Sequence, residues 1–172
     1  MKKILFSLIA LMAVMTVQAQ TICGTWRTMQ PVVSTQEDGS FTAESYTFTF
    51  NEDGTFNLVT EVTESTEPAP TMALEIACSL DVSGTYTLDG YQLTLNPNVD
   101  TYKAEVLSVS MNGKVSEDPT VIKNIESMLN SPMVKAEVGE ADNYTIKLAD
   151  PMLELAQDDE TLTLMRFSTI KN

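Results

Sequence analysis

The residues that most often carry enzyme chemistry are scarce in this chain. Histidine is absent from all 172 residues, which removes the commonest general base and metal ligand, and any Ser-His or Cys-His nucleophile pair. Carboxylates are abundant, but no two of them stand in an apolar context that would raise a pKa for acid–base catalysis. We therefore expect a protein that is not an enzyme, with no catalytic residue and no cofactor.

One short stretch superficially resembles a calcium loop. Residues 51–55 combine Asn, Glu, Asp, Gly and Thr. They lack the alternating acidic spacing of a calcium-binding loop and its glutamate at the twelfth position. A hairpin turn explains the same residues without a metal, so we expect no metal site.

The N-terminus has the pattern of an export signal. Lys2 and Lys3 precede an apolar run over residues 4–17 that only Ser7 and Thr16 interrupt. The run is shorter than the roughly 20 residues that a membrane-spanning helix needs, and small side chains near Ala19 suit signal-peptidase cleavage. We expect a signal peptide over residues 1–19, one domain over residues 20–172, and a secreted or periplasmic protein.

Two cysteines follow the expected cleavage site. Cys23 lies close enough to the apolar run to be the acylated residue of a lipoprotein, but the bulky Ile22 before it favours a protein without a lipid. In an oxidising compartment, Cys23 and Cys78 are predicted to form a disulfide, and closing a loop of 55 residues would contribute about 4 kcal/mol. Two buried thiols are the alternative.

The charge of the chain restricts its partners. The whole sequence has a net charge of −14, and loss of Lys2 and Lys3 with the signal would bring it to about −16. Nucleic acids and anionic lipids both require a basic surface. We expect no nucleic-acid partner, no membrane insertion and a monomer.

Apolar alternation predicts three hairpins, because a given loop length sets apolar side chains opposite each other. The predicted loops are residues 52–54, 89–90 and 157–160. The predicted cross-strand pairs are Phe50 with Phe56, Phe48 with Leu58, Leu88 with Tyr91, Tyr86 with Leu93, Leu155 with Leu162, and Leu153 with Leu164.

Other segments complete an all-β pattern. Strands are predicted over residues 21–29, 72–80, 102–111, 144–148 and 152–156, with solvated loops over residues 30–40 and 61–71. One helix is predicted from Pro119, capped by Asp118, to a stop at Ser131 and Pro132. Its apolar stripe should pack on the sheet or close one barrel end. We expect an antiparallel meander of about 8 to 10 strands that closes into a barrel or folds into a sandwich.

Two separated features resemble a known family. Gly24 and Trp26 form a G-x-W similar to the first signature of lipocalins. The resemblance implies that an arginine from the end of the chain covers the tryptophan, and Arg166 shares one face of the last predicted strand with Leu162 and Leu164. The hairpins around residues 48–56 and 84–95 also resemble lipocalin-like domains of secreted Bacteroidetes proteins, which are calycin-type β-barrels. The resemblance assigns structural roles to Trp26 and Arg166.

The resemblance implies a function as well. A lipocalin-like barrel would bind a small apolar or amphipathic molecule in its interior, whereas a small barrel whose side chains fill it would bind none. The alternative function is a secreted or envelope interaction module, such as an inhibitor or accessory subunit, that acts through its two long loops. The candidate interior residues are Tyr46, Phe48, Phe50, Phe56, Leu58, Tyr86, Leu88, Tyr91 and Leu93.

Overall fold

The structure is a computed structural model that describes residues 22–36, 38–69 and 72–167. The predicted signal peptide, with its cleavage site after Ala19, lies outside the described residues. None of the helices in the described part is long and apolar enough to cross a membrane.

The described residues form antiparallel strands and two short helices. Both helices and the strands β7 and β8 lie between β6 and β9 in the chain. The strands are β1 (Gly24–Thr28), β2 (Val32–Thr35), β3 (Phe41–Phe50), β4 (Thr55–Ala69), β5 (Met72–Asp89), β6 (Gln92–Pro97), β7 (Lys103–Met111), β8 (Lys114–Val115), β9 (Asp142–Ala149), β10 (Met152–Gln157) and β11 (Glu160–Phe167); the helices are α1 (Pro119–Leu129) and α2 (Pro132–Val138).

Eight of these strands close into a barrel. The order is β1, β3, β4, β5, β6, β9, β10 and β11, and β11 pairs again with β1. All pairings are antiparallel, which confirms the predicted all-β barrel and is consistent with a calycin-like fold. Closure leaves no free edge within this ring.

Two of the predicted hairpin registers are confirmed. Phe50 pairs with Phe56, and the backbone N–H of Asn51 donates to the Thr55 carbonyl at 2.9 Å across a three-residue loop. Gly54 has a φ of 81°, the left-handed conformation that this bulged turn requires. At the C-terminus Leu155 pairs with Leu162 and Leu153 with Leu164. Hydrophobic pairing therefore identified both registers.

The predicted register of the third hairpin is wrong, because the two-residue turn lies one residue further along the chain than predicted, at residues 90–91 instead of 89–90. Leu88 pairs with Leu93, and Tyr86 pairs with Leu95. The turn consists of Gly90, with a φ of 61°, and Tyr91, whose side chain is 70% exposed. Tyr91 is therefore not an interior residue. Both registers place apolar residues opposite each other, so the hydrophobic pattern did not separate them.

The predicted loop over residues 61–71 is strand as far as Ala69, and the predicted loop over residues 30–40 contains the short strand β2. β4 continues to Ala69 and pairs with the first half of β5, and β2 pairs with the first half of β3. Threonine and valine are frequent in β4, and their branched side chains favour extended backbone. Together with β7 and β8, these segments form a sheet that continues beyond the barrel, which we call the arm. Of the two segments proposed to carry a protein-interaction function, residues 61–69 are paired backbone, whereas in residues 30–40 the pairing is limited to Val32–Thr35.

The predicted helix is confirmed, and it covers an edge of the arm. Asp118 caps α1 by accepting a hydrogen bond from the Thr120 N–H. Asn130, just after α1, accepts from the backbone N–H of Ala104 at 3.0 Å and donates to its carbonyl at 2.9 Å. The Val106 N–H donates to the Glu126 carboxylate. These side chains satisfy β7 groups that would otherwise form an open edge.

A second helix begins at Pro132, where the sequence analysis predicted the end of helical structure. Pro132 begins α2, and the Ser131 side chain caps it. Proline is favourable in the first turn because its missing N–H has no partner in the helix there. The sequence analysis interpreted this pair only as a stop signal and so predicted one helix instead of two.

Candidate binding site

One end of the barrel is closed by packed side chains. Trp26 is completely buried, and its indole N–H donates to the Ile22 carbonyl at 2.7 Å. The Arg166 guanidinium carbon lies 4.1 Å from the centre of the Trp26 ring. Phe50 stacks on Phe48 and meets the edge of Tyr86. This half of the interior is filled core.

At the other end the barrel wall splits. β11 pairs with β1 only as far as Leu164 opposite Thr28. Beyond that pair the chain bends into β2, which pairs with β3 alone in the described part of the chain. A slot therefore separates β2 from the tip of the β10–β11 hairpin. It opens on a cavity of about 470 Å³, which we call the seam cavity.

The seam cavity has an apolar interior and a polar rim. Phe48 is buried at its base, and Leu58, Leu162 and Tyr144 are only partly buried, although they pack against the core. Val33 is 61% exposed on the β2 side. The full lining is Val32, Val33, Ser34, Tyr46, Phe48, Leu58, Tyr144, Leu155, Gln157, Glu160, Thr161 and Leu162.

A second, smaller hollow of about 200 Å³ lies beneath α2. Leu58 lines both hollows, so they are adjacent. Val138 of α2 packs with Val82 and Tyr102 on one side of this hollow. Asp142, at the start of β9, forms part of the opposite wall. α2, the helix that the sequence analysis did not predict, thus covers part of the open end.

The environment at the open end disfavours negative charge. Burial, and then the neighbouring Glu44 that accepts the Tyr46 hydroxyl hydrogen, raise the pKa of Tyr46 above its usual range. Burial and the charge of Asp142 raise the pKa of Tyr144 to about 12. The pKa of Asp142 is itself raised by burial and by Glu140. The phenols remain neutral hydrogen-bonding groups at physiological pH.

The predicted interior residues divide between the two halves. Phe50, Phe56 and Tyr86 are buried, Tyr86 and Phe50 at the filled end. Leu88 and Leu93 also face the core. Only three of the candidates line the seam cavity, and Tyr91 faces solvent. The three are Tyr46, Phe48 and Leu58.

Sequence reasoning missed the far wall of the cavity. Tyr144, Leu155 and Leu162 belong to β9, β10 and β11, strands that were predicted but whose faces were not assigned to the interior. The signal was present, because Leu155 pairs with Leu162 in the confirmed hairpin. The rim residue Glu160 follows from the same alternation, two positions before Leu162.

The predicted disulfide is wrong. The Cys23 sulfur lies 3.6 Å from the Tyr86 hydroxyl, whereas Cys78 is a buried thiol of the arm, opposite Val62 and Val106. Tyr86 and Cys78 lie eight residues apart on the single strand β5, which corresponds to on the order of 25 Å at about 3.3 Å per residue. A disulfide requires Cα atoms within about 7 Å. The two cysteines cannot bridge each other.

The calcium-like stretch folds as the hairpin turn that was expected. The Asp53 carboxylate accepts hydrogen bonds from the Thr55 N–H at 3.0 Å and hydroxyl at 2.6 Å. Among the described residues, no three cysteine or carboxylate side chains are grouped as metal ligands.

No protein-family model matches the chain, and no curated protein matches it in sequence.

Proposed function

We propose that this protein binds a small apolar or amphipathic molecule in the seam cavity. The observation that carries the proposal is a cavity of about 470 Å³, lined by apolar barrel residues, at the end of the barrel that is not filled. Small-molecule sites are typically concave, largely apolar and roughly 300 to 1,000 Å³ in volume. The seam cavity has these properties.

The energetic case comes from residues left incompletely buried. Leu58, Leu162 and Tyr46 pack on the core but keep part of their surface accessible. An apolar ligand would cover that surface, and each Å² removed from water contributes roughly 25 cal/mol. The barrel closed at its other end holds these side chains in place, so the site does not have to form on binding.

The proposal includes where the protein acts and which proteins it is similar to. Residues 1–19 have the pattern of a signal peptide, which supports a secreted or periplasmic location. The contact between Trp26 and Arg166 supports the resemblance to lipocalin-like domains of secreted Bacteroidetes proteins. A non-catalytic binding protein is the function most consistent with both.

The test uses the mature protein and the neutral fluorescent probe N-phenyl-1-naphthylamine. We expect the probe to bind with increased fluorescence, and we expect Leu162→Trp to abolish binding because the indole would occupy the cavity. Leu107→Trp is the matched control, because Leu107 is 56% exposed on β7 and lines neither hollow. Circular dichroism verifies that both variants fold.

Two outcomes would overturn the proposal. Wild-type protein that gives no fluorescence increase at any probe concentration below its solubility limit would show that the cavity holds no apolar molecule. Equal loss of binding in both tryptophan variants would show that the probe binds elsewhere. If Leu162→Trp does not fold, Leu162→Ala, which enlarges the same wall, should alter the probe affinity while Leu107→Ala should not.

A further inference from the structure

We propose that the molecule bound in the seam cavity carries a positively charged group, so that the ligand is a cationic amphiphile. Its apolar body would lie against Phe48, Leu58 and Leu162, and its ammonium group would lie at the rim among Tyr46, Tyr144 and Glu160. This inference rests on the proposed function and specifies the ligand class of that site.

The first argument is the charge of the interior face. Strand alternation places Glu44 on the same face as Tyr46 and Phe48, and Glu160 on the same face as Leu162 and Leu164. Asp142, in the wall of the neighbouring hollow, shares the interior face with Tyr144. Glu160 thus lines the seam cavity itself, Asp142 and Glu137 line the hollow beside it, and Glu44 accepts the hydrogen bond of the Tyr46 hydroxyl.

Among the described residues, no lysine or arginine lines the seam cavity or the hollow beside it. The inward-facing Arg166 lies at the closed end, where its Nη1 donates to the Cys23 carbonyl at 2.7 Å and its Nε to the Asp150 carboxylate at 2.7 Å. A cation in the ligand is the complement that the open end lacks.

The second argument is the geometry of the aromatic groups. Tyr46 and Tyr144 line the cavity together with Glu160, and aromatic rings beside carboxylates are the usual surroundings of bound ammonium groups. The Tyr46 hydroxyl donates its hydrogen to Glu44, which leaves its oxygen able to accept a hydrogen bond from a ligand in the cavity that Tyr46 lines. Burial is the main cause of the raised pKa values of both phenols, and the charges of Glu44 beside Tyr46 and of Asp142 beside Tyr144 add to it.

The third argument is selection against other amphiphiles. A fatty acid or another anionic molecule would bring its charge toward Glu160 and Glu44, and none of the described residues that line the cavity is an arginine or lysine that could pair with it. Like-charge contact away from water is an effective way to exclude a ligand. The same apolar cavity would therefore accept a neutral molecule weakly and a cationic one well.

Three probes of equal chain length test the inference: decylammonium, decanol and decanoate, each below its critical micelle concentration. Calorimetry of the mature wild-type protein should show decylammonium binding about tenfold tighter than decanol at low salt and no binding of decanoate. Glu160→Gln should reduce that preference several-fold, measured as the ratio of the decylammonium affinity to the decanol affinity of the same variant. Asp159→Asn, which removes the adjacent charge in the hairpin turn, is the control and should preserve the preference.

The outcomes separate this inference from the proposed function. If none of the probes binds, the proposed function itself fails. If decanol binds as tightly as decylammonium, or if decanoate binds best, the cavity exists as a site but the cationic ligand class is wrong. If Glu160→Gln and Asp159→Asn lower the affinity for decylammonium equally, the preference reflects the overall negative charge of the protein and not the rim, which also overturns the inference.

Discussion

The guanidinium of Arg166 lies over the ring of Trp26, 4.1 Å from its centre, and donates from Nη1 to the carbonyl of Cys23. Arg166 and Cys23 are 143 residues apart in the chain, so this cluster joins the first strand of the barrel to the last. Its partner Asp150 precedes Pro151, whose carbonyl accepts from the Arg166 N–H at 2.8 Å. The Arg166 side chain thus makes three contacts at the closed end of the barrel, with the Trp26 ring, the Cys23 carbonyl and the Asp150 carboxylate.

Removing that side chain should destabilise the barrel. We expect Arg166→Ala to lower the free energy of unfolding by about 2 kcal/mol, because a cation–π contact and a charge-assisted hydrogen bond are lost together. Urea unfolding followed by circular dichroism measures the change. Arg27→Ala is the control: Arg27 lies 5.1 Å from the exposed Phe167 ring, and its loss should cost less than about 1 kcal/mol. Similar costs for the two variants would contradict the structural role of Arg166.

The cap on the β7 edge gives a second prediction. Asn130→Ala should lower the free energy of unfolding by about 1 to 3 kcal/mol, because the N–H and carbonyl of Ala104 lose their partners. It should also promote aggregation through the newly open strand edge. Urea unfolding and light scattering measure the two effects. Asn124→Ala, on the exposed side of α1, should change neither, and a soluble Asn130→Ala of wild-type stability would refute the capping role.

The raised pKa of Asp142 should make the free energy of unfolding depend on pH. Burial raises its pKa in the folded protein, so folding favours the neutral acid. The contribution of that form is complete below the unfolded pKa of about 3.9 and is lost as the pH rises through the folded pKa. Asp142→Asn should therefore have a higher urea midpoint than wild type at neutral pH, and the difference should shrink in acid. The exposed Asp89→Asn serves as a control, and no difference at neutral pH would contradict the prediction.

The cysteines give a fourth prediction, for the mature protein under non-reducing conditions. Denatured protein should take up two alkyl groups by mass spectrometry, because Cys23 and Cys78 cannot bridge each other. In native protein Cys78 should react slowly, since it is buried and burial, together with Glu64, raises the pKa of its thiol. If the denatured, unreduced protein takes up no alkyl group, the prediction is wrong and Cys23 and Cys78 are joined by a disulfide.

Local pairing was the part of the fold that the sequence determined well. The hairpin between Phe50 and Phe56, the one between Leu155 and Leu162, and helix α1 each depend on residues close in sequence. Where two registers satisfied the same rule, as at Gly90 and Tyr91, the outcome depended on Leu95 becoming buried opposite Tyr86. Alternation alone does not contain that information.

The site was predicted less completely, for a physical reason. A cavity exists where side chains fail to fill space, and the split between β2 and β11 follows from where pairing stops at Thr28 and Leu164. No particular type of residue in the sequence indicates where the pairing of β1 with β11 ends. The same applies to the arm, since the polar run at residues 61–69 resembles a loop until β5 and β3 pair with it on both sides.

The slot beside β2 has a consequence for how quickly a guest molecule exchanges. In the described part of the chain, strand pairing does not join β2 to β11, so widening the slot breaks no rung of a sheet ladder. β2 stays paired with β3, so the two strands together can bend away from the β10–β11 tip with the loss of side-chain contacts only. Admission and release would then be governed by the motion of this two-stranded edge and would not require partial unfolding of the wall.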